Sequence, residues 1–93
     1  MRLTILREPK SPGQDAATLA LGALGWVLAD GPRAERLLAL TGMTPDALRG
    51  GLGDGAVLRA VLDFLASHEP DLVGAAAALD VEPAELMAAR ERL

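Results

Sequence analysis

The stretch LTGMTPDALRG, Leu40 to Gly50, decides the fold. Gly42 is placed to take the left-handed conformation that closes many helices. Thr44 is a helix N-cap, its hydroxyl suited to accept from a backbone N–H of the following turn. Pro45 takes the first helical position, where its missing N–H costs nothing, and Asp46 lies in the positive first turn. The stretch is thus a joint between two helices, and in outline a helix-turn-helix. That joint is widely used to present a helix to DNA, so it raises the question of nucleic acid at once.

Reading outward, the preceding segment PRAERLLAL has Ala34, Leu37 and Leu38 on one face and Arg33, Glu35 and Arg36 on the other. It is an amphipathic surface helix. Gly31 and Pro32 separate it from a longer helix expected over 12–29. That helix is apolar on nearly every face through Leu19, Leu21, Leu24, Trp26, Val27 and Leu28, which predicts burial on all sides. Ser11 with Pro12 and Gln14 makes one candidate start for it, and Asp15 makes a rival cap. Downstream, GGLGDG (Gly50 to Gly55) interrupts all regularity. A second apolar helix is expected over 56–67, then DLVGAAAALD and VEPAELMAARERL.

The second half repeats the plan of the first. A shift of 38 positions places Leu24 on Leu62, Trp26 on Phe64, Val27 on Leu65, Pro32 on Pro70, Pro45 on Pro83 and Leu48 on Leu86. The expectation is an all-α domain over 11–93, a compact bundle of five to six helices built from two related three-helix halves, 17–54 and 55–92. The helices 12–29 and 56–67 are expected at its centre, with Trp26 and Phe64 supplying most of the large-volume packing. Two copies are too few for a solenoid.

Composition narrows the function. The chain has 93 residues, room for one core. It is 51% hydrophobic with 2% aromatic residues, which favours helices over sheets. Without cysteine it has no disulfide and no thiolate chemistry. MRLTILREPKSPG lacks the apolar run of a signal peptide, and no apolar stretch reaches the roughly 20 residues of a membrane span, so a cytoplasmic protein is expected. A net charge of −4 and a pI near 4.8 argue against bulk affinity for nucleic acid or anionic membranes. Residues 1–10 stand apart as an N-terminal arm. Within them LTIL (Leu3 to Leu6) is a short extended piece, either a loosely docked arm or a strand for a partner's edge.

Each candidate for chemistry has a plainer reading. The would-be recognition helix PDALRGG offers one arginine and one aspartate, and its counterpart PAELMAARERL balances Arg90 and Arg92 against Glu85 and Glu91. Neither carries a basic stripe or the Asn and Gln that read adenine. DNA binding through Arg49 with Arg2, Arg7 and Lys10 stays as an alternative. His68 reads as a surface histidine at a helix C-terminus, beside no marked nucleophile. An enzyme using His68 is the last alternative. The two serines, Ser11 and Ser67, sit at caps, GGLGDG is not followed by the Lys-Ser/Thr of a phosphate loop, and the carboxylates form no spaced metal motif. No catalytic, cofactor-binding or metal-ligating residue is assigned, and no cofactor is expected. Asp63 reads as the partner of Arg59 four residues earlier, on a narrow wet strip, with a buried carboxylate as the other possibility. DLVGAAAALD carries no charge between its two aspartates, unlike a peripheral helix. It is either enclosed by its neighbours or covered by a second molecule.

At LLALTGMTPDALR, AVLDFLASHEPDL and ALDVEPAELMAAR the chain resembles a family of small alphaproteobacterial proteins, domain of unknown function 3572. The resemblance rests on Leu38 to Arg49, Val61 to Leu65 and Pro83 to Arg90, and covers residues 15 to 92. It implies a run of Leu/Ala helices and no assigned activity, so no functional residue carries over. It also implies a signalling setting, with a single-domain response regulator as partner. Asp80 departs from the glycine that the pattern leads one to expect, which loosens the second C-cap.

Together these readings predict a non-enzymatic interaction or regulatory domain that binds a protein partner or itself. The expected contact surface is Leu72, Val73 and Ala76, rimmed by Arg33 and Arg36.

Overall fold

Helix boundaries follow from the caps. A computed structural model describes residues 15–93; the N-terminal arm 1–10 and the cap at Ser11 fall outside them. Asp15 is the cap of the first helix, its Oδ2 accepting from the Thr18 N–H at 3.2 Å, so α1 spans Ala16–Leu28; residues 12–14 of the expected helix 12–29 lie outside the described residues. Asp30 caps α2 (Gly31–Thr41) by accepting from Arg33 N–H at 3.0 Å. Thr44 caps α3 (Pro45–Gly50) through Ala47 N–H at 3.0 Å, as its sequence requires. Asp54 caps α4 (Gly55–Ala66). Then come α5 (Glu69–Leu79) and α6 (Pro83–Glu91), where Glu82 N–H donates to the Glu85 carboxylate at 2.9 Å. The described residues form six helices and no strand, an all-α bundle.

The turns after α2 and α5 use the same geometry with different residues. Gly42 has φ 77°, and Asp80 has φ 59° and ψ 44°, the one non-glycine among the described residues in left-handed space. Asp80 does not leave the cap open: the Val81 N–H donates to the Ala76 carbonyl at 3.0 Å. A shift of 38 positions carries Gly31–Thr41 onto Glu69–Leu79 at both ends, and Gly42 onto Asp80.

Helices α1 and α4 lie at the centre, packed on each other and each against α2, α5 and α6. Val27, Leu37, Leu58, Val61, Leu62, Leu65 and Leu86 are the largest fully buried side chains. Leucines thus supply the volume expected of the aromatics: Phe64 is buried, but Trp26 lies only partly in the core, along the seam between α1 and α5. That seam explains the small residues of α5. A Cβ on Gly74 would stand 2.6 Å from the Trp26 ring, and one on Gly22 would meet the Leu79 side chain at 2.8 Å. Glycine at 22 and 74 lets each helix accept the bulky residue of the other, while Ala75 and Ala76 close the seam against the core. The Arg33 guanidinium covers the Trp26 ring at 3.6 Å and donates to the Trp26 carbonyl at 2.6 Å.

The third helices of the two halves differ. α6 buries Leu86 and Ala89 against both α1 and α4. α3 is six residues long and buries Leu48.

Candidate functional site

The apolar surface of α1 is larger than its neighbours cover. Its residues Ala20, Ala23, Leu24 and Val27 face the core, and Gly22 and Trp26 receive α5. One strip remains open. Leu21 is 40% exposed and Leu28 46%, against the expectation that α1 is enclosed on all sides. These two leucines lie seven residues apart, two turns along one face. With Leu24 and Gly25 they form the floor of a groove of about 390 Å³, walled by Leu38 of α2, Pro45, Leu48 and Arg49 of α3, and Leu52. Leu52 is itself 41% exposed. Arg49 is the sole charged residue of this lining, and its guanidinium pairs with Asp46 one turn earlier. The groove is therefore an apolar trough whose one lining charge, Arg49, is paired with Asp46 at the rim, of a size at the lower end of ligand sites, roughly 300–1,000 Å³.

The other half shows what closes such a trough. Thirty-eight positions on, Leu21, Gly25, Leu28 and Leu52 correspond to Arg59, Asp63, Ala66 and Arg90. There Arg90 of α6 donates to Asp63 of α4 at 3.1 Å, fastening α6 over α4. Asp63 is exposed and pairs across helices with Arg90, not with Arg59 as its i,i+4 spacing suggested. Hydrogen bonding to Glu91, aided by the charge of Asp63, holds Arg90 above the ordinary arginine range, so it stays cationic. The first half has glycine and leucine where the second has this ion pair, and α3 stops short of covering α1.

The residues expected to form the contact surface are not gathered into one. Ala76 is inside the monomer at 1% exposure, Leu72 is half-buried against the core, and Val73 alone is exposed, at 49%. Arg33 is engaged with Trp26. Arg36 reaches from α2 to the Asp71 carboxylate in the first turn of α5, the one buried charged residue among those described, and passes over the Phe64 ring at 5.8 Å. These arginines tie α2 to its neighbours and do not rim an open patch.

His68 does not cap the C-terminus of α4, which ends at Ala66 with Ser67 as its cap; it stands at the start of α5, half-exposed, with Nε2 4.0 Å from Asp71. Among the described residues no three His, Asp or Glu side chains are grouped to share a metal ion, and no helix is long and apolar enough to cross a membrane. The groove is hidden in the sequence because α1 is apolar on nearly every face and so has the pattern of a core helix throughout. Its signal was there: the strip that carries Arg59 and Asp63 on α4 carries Leu21 and Gly25 on α1.

Fold and groove define, over the described residues, a small all-α bundle with a leucine-lined trough on a central helix. The chain belongs to the DUF3572 family, described as a protein of unknown function, whose match spans residues 13–93. No curated protein and no solved structure matches it.

Proposed function

We propose that this chain is a non-enzymatic interaction domain, cytoplasmic in location, whose docking surface is the groove between α1 and α3. The observation that carries the reading is the convergence of Leu21, Leu28 and Leu52, each at least 40% exposed, on one trough. Isolated exposed leucines need no explanation, whereas a contiguous apolar trough on a soluble surface marks a place where something binds. The lining offers aliphatic side chains and little hydrogen bonding, so it suits an apolar protein segment entering by its side chains, as helices do in hydrophobic grooves. We read the two halves, 17–54 and 55–92, as versions of one three-helix plan, of which the first is left open for a partner. The shared boundaries of α2 and α5 support that reading.

The test is a pull-down from the native cell with the wild-type chain and with Leu21→Glu and Leu52→Glu variants. Both positions are exposed enough to take a charge without unfolding the core, which circular dichroism checks. The expected result is a partner retained by wild type and lost by both variants. Retention by both variants overturns the reading. A receiver domain of a response regulator is the first purified partner to try.

A further inference from the structure

We propose that the segment Leu3–Leu6 of this same chain occupies the α1–α3 groove in cis and competes there with the partner, an inference that rests on the groove being a docking surface.

Three observations carry it. The first is reach. Eight residues, Arg7 to Gln14, connect Leu6 to the α1 cap at Asp15, and Pro9 and Pro12 favour extended backbone. At about 3.1 Å per residue they span roughly 25 Å. Leu28, the far end of the groove floor, lies about 18 Å along α1 from Ala16 at 1.5 Å per residue. If the chain reverses at Pro12–Gly13, a dipeptide suited to it, the five residues Arg7 to Ser11 carry Leu6 about 15 Å back beside α1, and the four residues of the segment itself cover the rest of the groove floor.

The second is charge. The chain has nine basic and thirteen acidic residues. Arg2, Arg7 and Lys10 against Glu8 leave the first fourteen residues positive, and the remaining six basic and twelve acidic residues make the folded body strongly negative. The arm is attracted to the body before any apolar contact forms.

The third is chemistry. Leu3, Ile5 and Leu6 are branched aliphatic residues, and the groove asks for such residues. The described residues contain no strand, so a second copy of this body offers LTIL no sheet edge to join.

The experiment uses full-length chain and the neutral apolar dye Nile red. Wild type, a Leu3→Ser/Ile5→Ser variant and each of these with Leu52→Glu added are titrated, and the mass of each is measured by sedimentation. An occluded site raises the apparent dissociation constant by the inverse of its open fraction. With an effective tail concentration near millimolar, the Ser variant is expected to bind dye about three- to tenfold more tightly than wild type, with all four chains monomeric. Leu52→Glu is expected to abolish dye binding in both backgrounds. Equal affinity of wild type and Ser variant, with Leu52→Glu still abolishing binding, overturns the cis occupant and leaves the groove standing. Dye binding indifferent to Leu52→Glu overturns the groove and the occupant together. A dimer lost with Leu52→Glu but kept in the Ser variant overturns the proposal in favour of a second copy.

Discussion

The same substitution at three glycines is expected to have three different outcomes, because the space around each differs. A Cβ at Gly25 meets nothing within 4 Å. Gly25→Ala therefore gains helix propensity alone, about 0.8–1 kcal/mol of stability. At Gly22 the obstruction is the end of the Leu79 side chain, 2.8 Å away, which can swing aside; gain and strain are expected to cancel roughly. At Gly74 the obstruction is the Trp26 ring at 2.6 and 2.9 Å, which also carries the Arg33 guanidinium over its face. The ring is flat and stiff, so overpacking of about 1–3 kcal/mol outweighs the propensity gain. Thermal unfolding should rank the variants Gly25→Ala above Gly22→Ala above Gly74→Ala, and a Gly74→Ala protein more stable than wild type contradicts the seam described above. Asp71 is a second residue-scale case. It is buried, anchors Arg36, and sits where a helix dipole favours a carboxylate. Asp71→Ala is expected to cost about 1–3 kcal/mol in urea unfolding, because it leaves a guanidinium partly buried without its partner. That exceeds the few tenths typical of exposed pairs such as Arg49–Asp46.

At the scale of elements, the caps decide where helices begin and the packing decides how firmly they stay. α3 and α6 have similar starts, Thr44–Pro45 and Glu82–Pro83, and unequal fates. α6 packs on both central helices, and α3 lies at the rim of a groove with Leu48 as its one buried residue. Native-state hydrogen exchange should find the amides at Leu48 and Arg49 opening first, with those at Leu62 and Leu65 last, at the global unfolding energy. Protection of α3 equal to that of α4 contradicts the loosely held third helix. Asp80 belongs to the same scale, because it closes the α5 turn in left-handed space. Asp80→Gly is expected to raise the melting temperature, relieving a backbone cost of about 1 kcal/mol. This level was the most legible in the sequence. Gly42, Thr44, Pro45, Pro70 and Pro83 are local signals acting within a turn of themselves, and each marks a boundary that the structure keeps. The partners of side chains were less legible. Asp63 has a basic residue four positions away and another on α6, and local spacing cannot rank them. The groove was legible least, since exposure of Leu21 and Leu28 depends on α3 ending after six residues, which is a property of the assembly and not of α1.

At the scale of the whole molecule, neither half is self-sufficient. The buried face of α1 is covered by α4, α5 and α6, all from the second half, and α2 is its main neighbour from its own half. A peptide of residues 15–52 therefore exposes most of the apolar face that stabilises its helices, and short helices are marginal in water without such cover. It is expected to show weak far-ultraviolet helical signal and no cooperative melt, and equimolar addition of residues 53–93 should restore both. A cooperative transition in either peptide alone contradicts that interdependence. The two halves thus make one core, while the groove belongs entirely to the first half.

The Trp26 seam also has a practical meaning. It is the one tryptophan, in a chain without tyrosine. Its ring touches both the Arg33 guanidinium and Gly74 where α1, α2 and α5 meet, on a face of α1 turned away from Leu21 and Leu28. Intrinsic emission is thus a one-channel gauge of whether α5 is seated. A guest that fills the trough should leave the wavelength where it was, whereas anything that pries the bundle apart should move it, and the protein separates occupancy from opening without an added label.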